Sequence, residues 1–155
     1  MIKYIDISHL DTAKKVLDLQ KVSYLIEAKY IGTINIPPLM EKLEELMDCK
    51  ETFLGSFVDG YLAGVLSYKV DHELIDIHRL MVHPDYFRKG IGKELICYLE
   101  IMHLSAKEII VSTGAKNTPA VNLYFNLGFE KIEEREVYGG VLVANFKKII
   151  KRDSK

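Results

Sequence analysis

The sequence predicts an α/β fold: a mixed, largely antiparallel, twisted sheet of six to seven strands with about four helices on its two faces. Three features predict it. Strand-like segments joined by tight turns run from 53 to 82. A strand–helix–strand unit spans 73 to 113. Amphipathic helical segments stand on either side of the turn-rich stretch. The order they give is β-α-α-β-β-β-α-β-α-β-β.

Ile2 to Ile7 alternates apolar and polar residues, as a short strand does. A helix is expected from about Asp11 to Ala28, because Val16, Leu19, Val22 and Ile26 recur at three-to-four spacing. Gly32 and Pro37-Pro38 interrupt it. Leu39, Leu43, Leu46 and Met47 mark a second, shorter helix. Phe53 to Val58 and Tyr61 to about Val70 flank Asp59-Gly60, a pair suited to the positive φ angles of a two-residue hairpin. A third strand, Glu73 to Val82, follows the turn at Asp71-His72 and stops before Pro84. A helix beginning near Ile91 presents Ile91, Leu95, Leu99 and Met102 on one face. Glu108 to Thr113 is a strand, and the crossover makes it parallel to 73–82. Thr118 is placed to cap the next helix, with Pro119 at its first position and Gly128 as its left-handed stop. Two strands, about 129–137 and 141–148, close the order around Gly139-Gly140.

The chain has 155 residues, the length of one domain, and no linker divides 1–155. Its 21 Lys and Arg nearly balance 22 Asp and Glu, so the basic surplus of a nucleic-acid binder is missing. Two cysteines, Cys49 and Cys97, cannot make a disulfide framework and fit a reducing compartment. No apolar stretch is long enough for a membrane span, and the first residues carry no signal-peptide pattern. A cytoplasmic protein with no nucleic-acid or membrane partner is expected. Exposed sheet edges allow a homodimer. No cluster of metal ligands stands out, so no metal is expected.

Chemistry gathers at Arg88-Lys89-Gly90-Ile91-Gly92-Lys93, a strand-to-helix turn. The first amides of a helix lack internal partners and sit at its positive pole. Glycines let an anion approach the backbone, and three cationic side chains add charge, which together makes a cradle for a diphosphate. The Walker pattern fails, because Phe87 stands where its first Gly is needed and Glu94 where it needs Ser or Thr. The dinucleotide pattern fails at Leu95.

The stretch His78-Arg79-Leu80-Met81-Val82-His83-Pro84-Asp85-Tyr86, followed by this turn, closely resembles the acetyl-CoA signature of the GCN5-related N-acetyltransferases. A later set, Asn117-Thr118-Pro119-Ala120, Leu123-Tyr124 and Gly128-Phe129, resembles that family's second motif. The resemblance covers 73–130 and, through the element order, extends over the chain. One departure is clear. Phe87 occupies the position where the family carries Gln or Arg, and Arg88 comes one residue late.

The resemblance implies an acyl-CoA-dependent N-acyltransferase that passes acetyl from acetyl-CoA, its co-substrate, directly to a primary amine in a ternary complex. The pantetheine arm is then expected between two splayed parallel strands, 78–82 and 109–113. Leu80, Met81 and Val82 would offer backbone groups to the arm or to the oxyanion. The amides from Arg88 through Lys89, Gly90, Ile91 and Gly92 to Lys93 would meet the diphosphate. Tyr124 holds the family's usual acid position. Asp76 and His78 are candidate bases on the strand, and the period-two rule puts them on one face with Leu80 and Val82. A His has the better ordinary pKa for work at neutral pH. The acceptor site is expected around Glu27, Tyr30 and Tyr138, with the acceptor's identity open. A catalytically silent CoA-binding or regulatory module, or a transferase of a longer acyl group, are the alternatives.

Overall fold

The computed structural model describes residues 1–151, with the side chain of Tyr138 outside the description. Its elements in order are β1 (Ile2–Ile5), α1 (Leu10–Ile31), α2 (Pro37–Met40), α3 (Leu43–Met47), β2 (Thr52–Val58), β3 (Tyr61–Asp71), β4 (Leu74–Val82), a 3₁₀ turn (Pro84–Tyr86), α4 (Ile91–Met102), β5 (Glu108–Gly114), α5 (Thr118–Asn126), β6 (Glu130–Glu136), a second 3₁₀ turn (Tyr138–Gly140) and β7 (Leu142–Ile149). The seven strands form one sheet in the order β1-β2-β3-β4-β5-β7-β6. All neighbours are antiparallel except β4 and β5.

The expected strand order is present, and the helices depart from expectation in instructive ways. The predicted second helix is two short ones, because backbone at Glu41 and Lys42 is extended. The Pro37-Pro38 pair opens the first of them, as proline suits a position whose N–H has no helical partner. The buried face of α1 includes Ala13, Val16, Leu17, Leu19 and Gln20, whereas Val22 is exposed. Asn117, not Thr118, caps α5: its side-chain oxygen accepts the Ala120 N–H at 3.4 Å.

Two cores flank the sheet. One joins Leu54, Leu66, Ile75 and Ile77 to Leu95 and Leu99 of α4 and to Tyr124 of α5. The other joins Phe53, Val65 and Met81 to Val16, Leu17 and Leu19 of α1 and to Leu46 of α3. Burial of this kind contributes about 25 cal/mol per Å² of apolar surface. No helix among the described residues is long and apolar enough to cross a membrane.

The feature that positions a site is local to β4. Its parallel pairing with β5 runs from Leu74↔Glu108 to Ile77↔Val111 and stops there. On the other edge, Ser67 pairs with Arg79 and Tyr68 with Ile77, so His78 is an extra residue in the ladder. Such a bulge resets the alternation of side chains. Leu80 and Val82 therefore pack against the same core as Ile75 and Ile77, while Met81 belongs to the opposite one. The expectation that Asp76, His78, Leu80 and Val82 share a face is corrected here, since the period-two rule holds only without an inserted residue.

Candidate active site

A cleft of about 700 Å³ opens where β4 and β5 part. Leu80 and Val82 form its floor. The turn before α4 forms one end, through Phe87, Arg88, Gly90, Ile91, Gly92 and Lys93. Asn117, Asn122 and Tyr124 line the α5 side, and Glu27 and Tyr30 of α1 line the other end.

The turn is shaped by two left-handed residues, Arg88 at φ 63° and Gly90 at φ 76°. Gly90 is the N-cap of α4, and a Cβ there would meet nothing within 4 Å, so the glycine serves the backbone angle. The first internal bond of α4 is Glu94 N–H to Gly90 O at 2.9 Å. The amides of Ile91, Gly92 and Lys93 thus have no acceptor within the helix. Gly92 answers a different need. A Cβ on it would lie 3.1 Å from Leu123 Cδ2, so it lets α4 and α5 close on each other.

At the far end, Tyr124 is 3% exposed, and its ring packs 5.5 Å from both Phe129 and Phe146. Burial, reinforced by the nearby Glu27 carboxylate, holds its phenol above the ordinary range, so it is protonated at neutral pH. Glu27 Oε1 accepts a hydrogen bond from the Thr113 hydroxyl at 3.2 Å. Its carboxyl is raised by burial, against the lowering effect of hydrogen bonds from Asn117, Thr113 and the Gly114 backbone. Asn117 links these elements, since it also caps α5 and donates to Thr113 Oγ1 at 3.4 Å.

A second pocket of about 490 Å³ lies on the α1–α3 side of the sheet. His78 lines it. The imidazole stands between two carboxylates, with Nε2 3.3 Å from Asp76 Oδ2 and Nδ1 3.7 Å from Glu51 Oε2. Arg79 anchors this pocket. Its guanidinium binds Glu51 (Nε to Oε1, 2.9 Å), Glu41 and the side chain of Gln20 (2.8 Å). Gln20 also donates to Pro38 O at 2.9 Å and to Glu41 Oε1 at 2.8 Å. Burial pushes the Glu51 carboxyl up, but the bonds from Arg79 and Ser67 outweigh it and hold the group below the usual carboxylate range.

Of the predicted site residues, Leu80, Val82, Arg88, Gly90, Ile91, Gly92, Lys93, Asn117, Asn122, Tyr124, Glu27 and Tyr30 meet at the cleft. Four others do not line it, among them His78, which lines the second pocket instead. The Met81 side chain is 1% exposed in the opposite core, so only its backbone faces the splay. Lys89 lies with its ammonium 5.5 Å over the Tyr86 ring. Asp76 reaches the second pocket only through His78. The Tyr138 side chain, expected at the acceptor site, lies outside the described residues. Sequence reasoning missed the Arg79–Glu41–Glu51–Gln20 network. Its one visible trace was Gln20, a polar residue at a buried position of an otherwise apolar helix stripe. Among the described residues no group of three or more His, Cys, Asp and Glu is placed to hold a metal ion.

A parted parallel strand pair ahead of a glycine turn defines a class of acyl-transfer fold, and the comparisons agree. The chain belongs to the acetyltransferase (GNAT) family, whose sequence model matches residues 18–129. It is 38% identical over 146 residues to the UPF0157 protein YqkA of Bacillus subtilis (strain 168), covering 94% of this chain and 43% of that protein. It is 31% identical over 88 residues to a spermidine N(1)-acetyltransferase of Thermoplasma acidophilum, covering 54% of this chain and 53% of that one. The chain thus spans about half or less of the length of these curated relatives. Its fold is similar to that of the PaiA N-acetyltransferase from Thermoplasma acidophilum in complex with coenzyme A, with a TM-score of 0.74 at 19% identity over 97% of this chain and 99% of that one.

Proposed function

We propose that residues 1–155 act as one N-acetyltransferase domain that moves acetyl from acetyl-CoA directly to a primary amine in a ternary complex. The observation that carries this reading is the continuity of the cleft, which runs from the glycine turn over Leu80 and Val82 to Tyr124 and Glu27. The cavity is of the size that takes a cofactor. The CoA complex of the PaiA neighbour and the amine named for the Thermoplasma relative support it. Location in the cytoplasm belongs to the same proposal and rests on two free cysteines.

Acetyl-CoA supplies the acyl group as a thioester. The open amides of Ile91, Gly92 and Lys93, with the Arg88 and Lys93 side chains, would hold its diphosphate. Phe87 stands 42% exposed on the same wall, so Arg88 is the side chain left to supply the family's Gln or Arg contact. The parted edge of β4 near Leu80 and Val82 would offer backbone groups to the pantetheine arm and an N–H to the oxyanion.

In transfer, the amine lone pair forms the C–N bond, the C–S bond breaks, and the amine gives up one proton. His78, oriented by Asp76, takes that proton from the second-pocket side, where the acceptor arrives. Tyr124 faces the departing sulfur. Its phenol lies above the ordinary value of about 10 and a free thiol near 8.5. Tyr124 therefore acts first as a hydrogen-bond donor to the developing thiolate. Glu27 and Tyr30, at the α1 end of the cleft, would contact the body of the acceptor rather than its reacting nitrogen.

The test is release of free CoA from acetyl-CoA with a panel of primary amines, for wild type and Tyr124→Phe. The expected result is amine-dependent release with a maximal rate about 100-fold lower in the variant, at unchanged acetyl-CoA affinity. An equal rate in both proteins removes Tyr124 from the mechanism.

A further inference from the structure

Phe87 is the one cleft residue at the glycine turn that the cofactor cradle leaves without a task. A phenyl ring carries no charge and donates no hydrogen bond, so it cannot do what Gln or Arg does at this position. The backbone of Phe87 is committed too, since its N–H donates to Pro84 O at 3.2 Å and closes the 3₁₀ turn. What Phe87 offers the cleft is therefore its ring, which lines the cavity and stays exposed. A lone exposed Phe on a convex surface is ordinary. This one borders a cavity of the kind that buries a ligand.

The neighbouring aromatic is built differently. Tyr86 packs against the α4 core, its ring meets that of His83 edge-on at 6.1 Å, and the Lys89 ammonium lies 5.5 Å over it. Phe87 has no such company: among the described residues no ring and no cation stacks on it. Its place in the cleft says what it would meet. The pantetheine arm belongs over Leu80 and Val82, and the diphosphate belongs at the open amides of Ile91, Gly92 and Lys93. Phe87 stands just before the left-handed Arg88, at the end of the cleft formed by the turn. Past the diphosphate the cofactor has its nucleotide, and adenine is its only aromatic plane. A free ring face recognises a flat base by stacking. The arm is a saturated amide chain and offers it no such partner.

We propose that Phe87 is a platform for the adenine of acetyl-CoA, so that in this chain a stacking contact replaces the polar contact of the Gln or Arg that the family carries there. The proposal rests on the acetyltransferase reading above. It has a consequence for donor choice. The cleft holds the base at Phe87 as well as the diphosphate at the α4 amides. A free CoA thioester is therefore favoured over the same thioester on a phosphopantetheine without adenosine, and Phe87 supplies part of that preference.

The experiment measures dissociation constants by titration calorimetry, with weak ligands read by their displacement of CoA. The ligands are CoA, the adenosine bisphosphate that lacks the arm, and the phosphopantetheine that lacks adenosine. Wild type is compared with Phe87→Tyr, which keeps a ring face, and Phe87→Leu, which keeps apolar bulk without one. All three proteins should unfold at the same temperature without ligand, because the side chain is exposed. Phe87→Leu is expected to bind CoA and the adenosine bisphosphate about tenfold more weakly and phosphopantetheine as wild type does. Phe87→Tyr is expected to match wild type for all three ligands. Equal weakening of CoA and phosphopantetheine in Phe87→Leu would put the ring against the arm and overturn the proposal. Unchanged CoA affinity in that variant would overturn it as well. Either result leaves the acetyltransferase reading standing, whereas a wild type that binds no CoA overturns both.

Discussion

The two halves of β4 are made of similar residues and do opposite things. From Leu74 to Ile77 the strand is hydrogen-bonded on both edges, and Ile75 is fully buried between α4 and the sheet. From Arg79 to Val82 it keeps β3 but has parted from β5, and Leu80 and Val82 floor the cleft. One inserted residue, His78, separates the halves. The extra residue in the β3 ladder coincides with the end of the β5 pairing and places the His78 side chain in the second pocket.

The largest expected effect lies in the paired half. Ile75→Ala is expected to cost about 2–5 kcal/mol in a denaturant titration, through lost burial and the cavity left behind. Acetyl-CoA affinity of the folded variant should stay near wild type, because Ile75 does not line the cleft. A loss of affinity that outlasts restored folding would contradict the division.

The junction itself carries the next effect. Glu51 belongs to the network that fixes Arg79 beside the bulge, and its carboxyl is held below the usual range. Its contribution to stability is therefore fully present above about pH 4.3 and is lost as pH falls through its lower folded value. Glu51→Gln should lose about 3 kcal/mol at neutral pH, because Arg79 loses a buried partner. It should also unfold with a flatter pH dependence in the acid range. An acid limb identical to wild type would remove Glu51 from that linkage.

The smallest effect is on pH dependence of the rate. His78→Ala should abolish the low-pH limb of the rate profile, and Asp76→Asn should shift it, since Asp76 touches the imidazole rather than the pocket. If both variants keep the wild-type profile, the proton leaves by another route.

Much of this was legible in the sequence for identifiable reasons. Asp59-Gly60 specifies its hairpin through backbone angles, and Gly90 specifies the turn in the same way, at φ 76°. Ile91, Leu95 and Leu99 announce the buried face of α4 by spacing, whereas Met102, expected with them, is exposed at the end of the helix. The His78 bulge was not legible, because an inserted residue leaves the apolar pattern of β4 intact on both sides and changes only its phase. The Arg79 network was hidden for another reason. Glu41, Glu51, Gln20 and Arg79 lie far apart in the chain, and only the fold brings them together. The break between α2 and α3 has the same origin: Glu41 is drawn to Arg79 instead of continuing a helix.

Everything above turns on the parted strands and the glycine turn binding acetyl-CoA. That binding is tested most directly by thermal unfolding with and without acetyl-CoA, for wild type and Gly90→Glu. The variant places a carboxylate and a side chain unsuited to positive φ where the diphosphate would lie. At about 100 times the dissociation constant, the wild type should gain about 2.7 kcal/mol and unfold at a higher temperature, and the folded variant should show no gain. A wild type that does not respond to millimolar acetyl-CoA, or a variant that responds equally, would contradict the account.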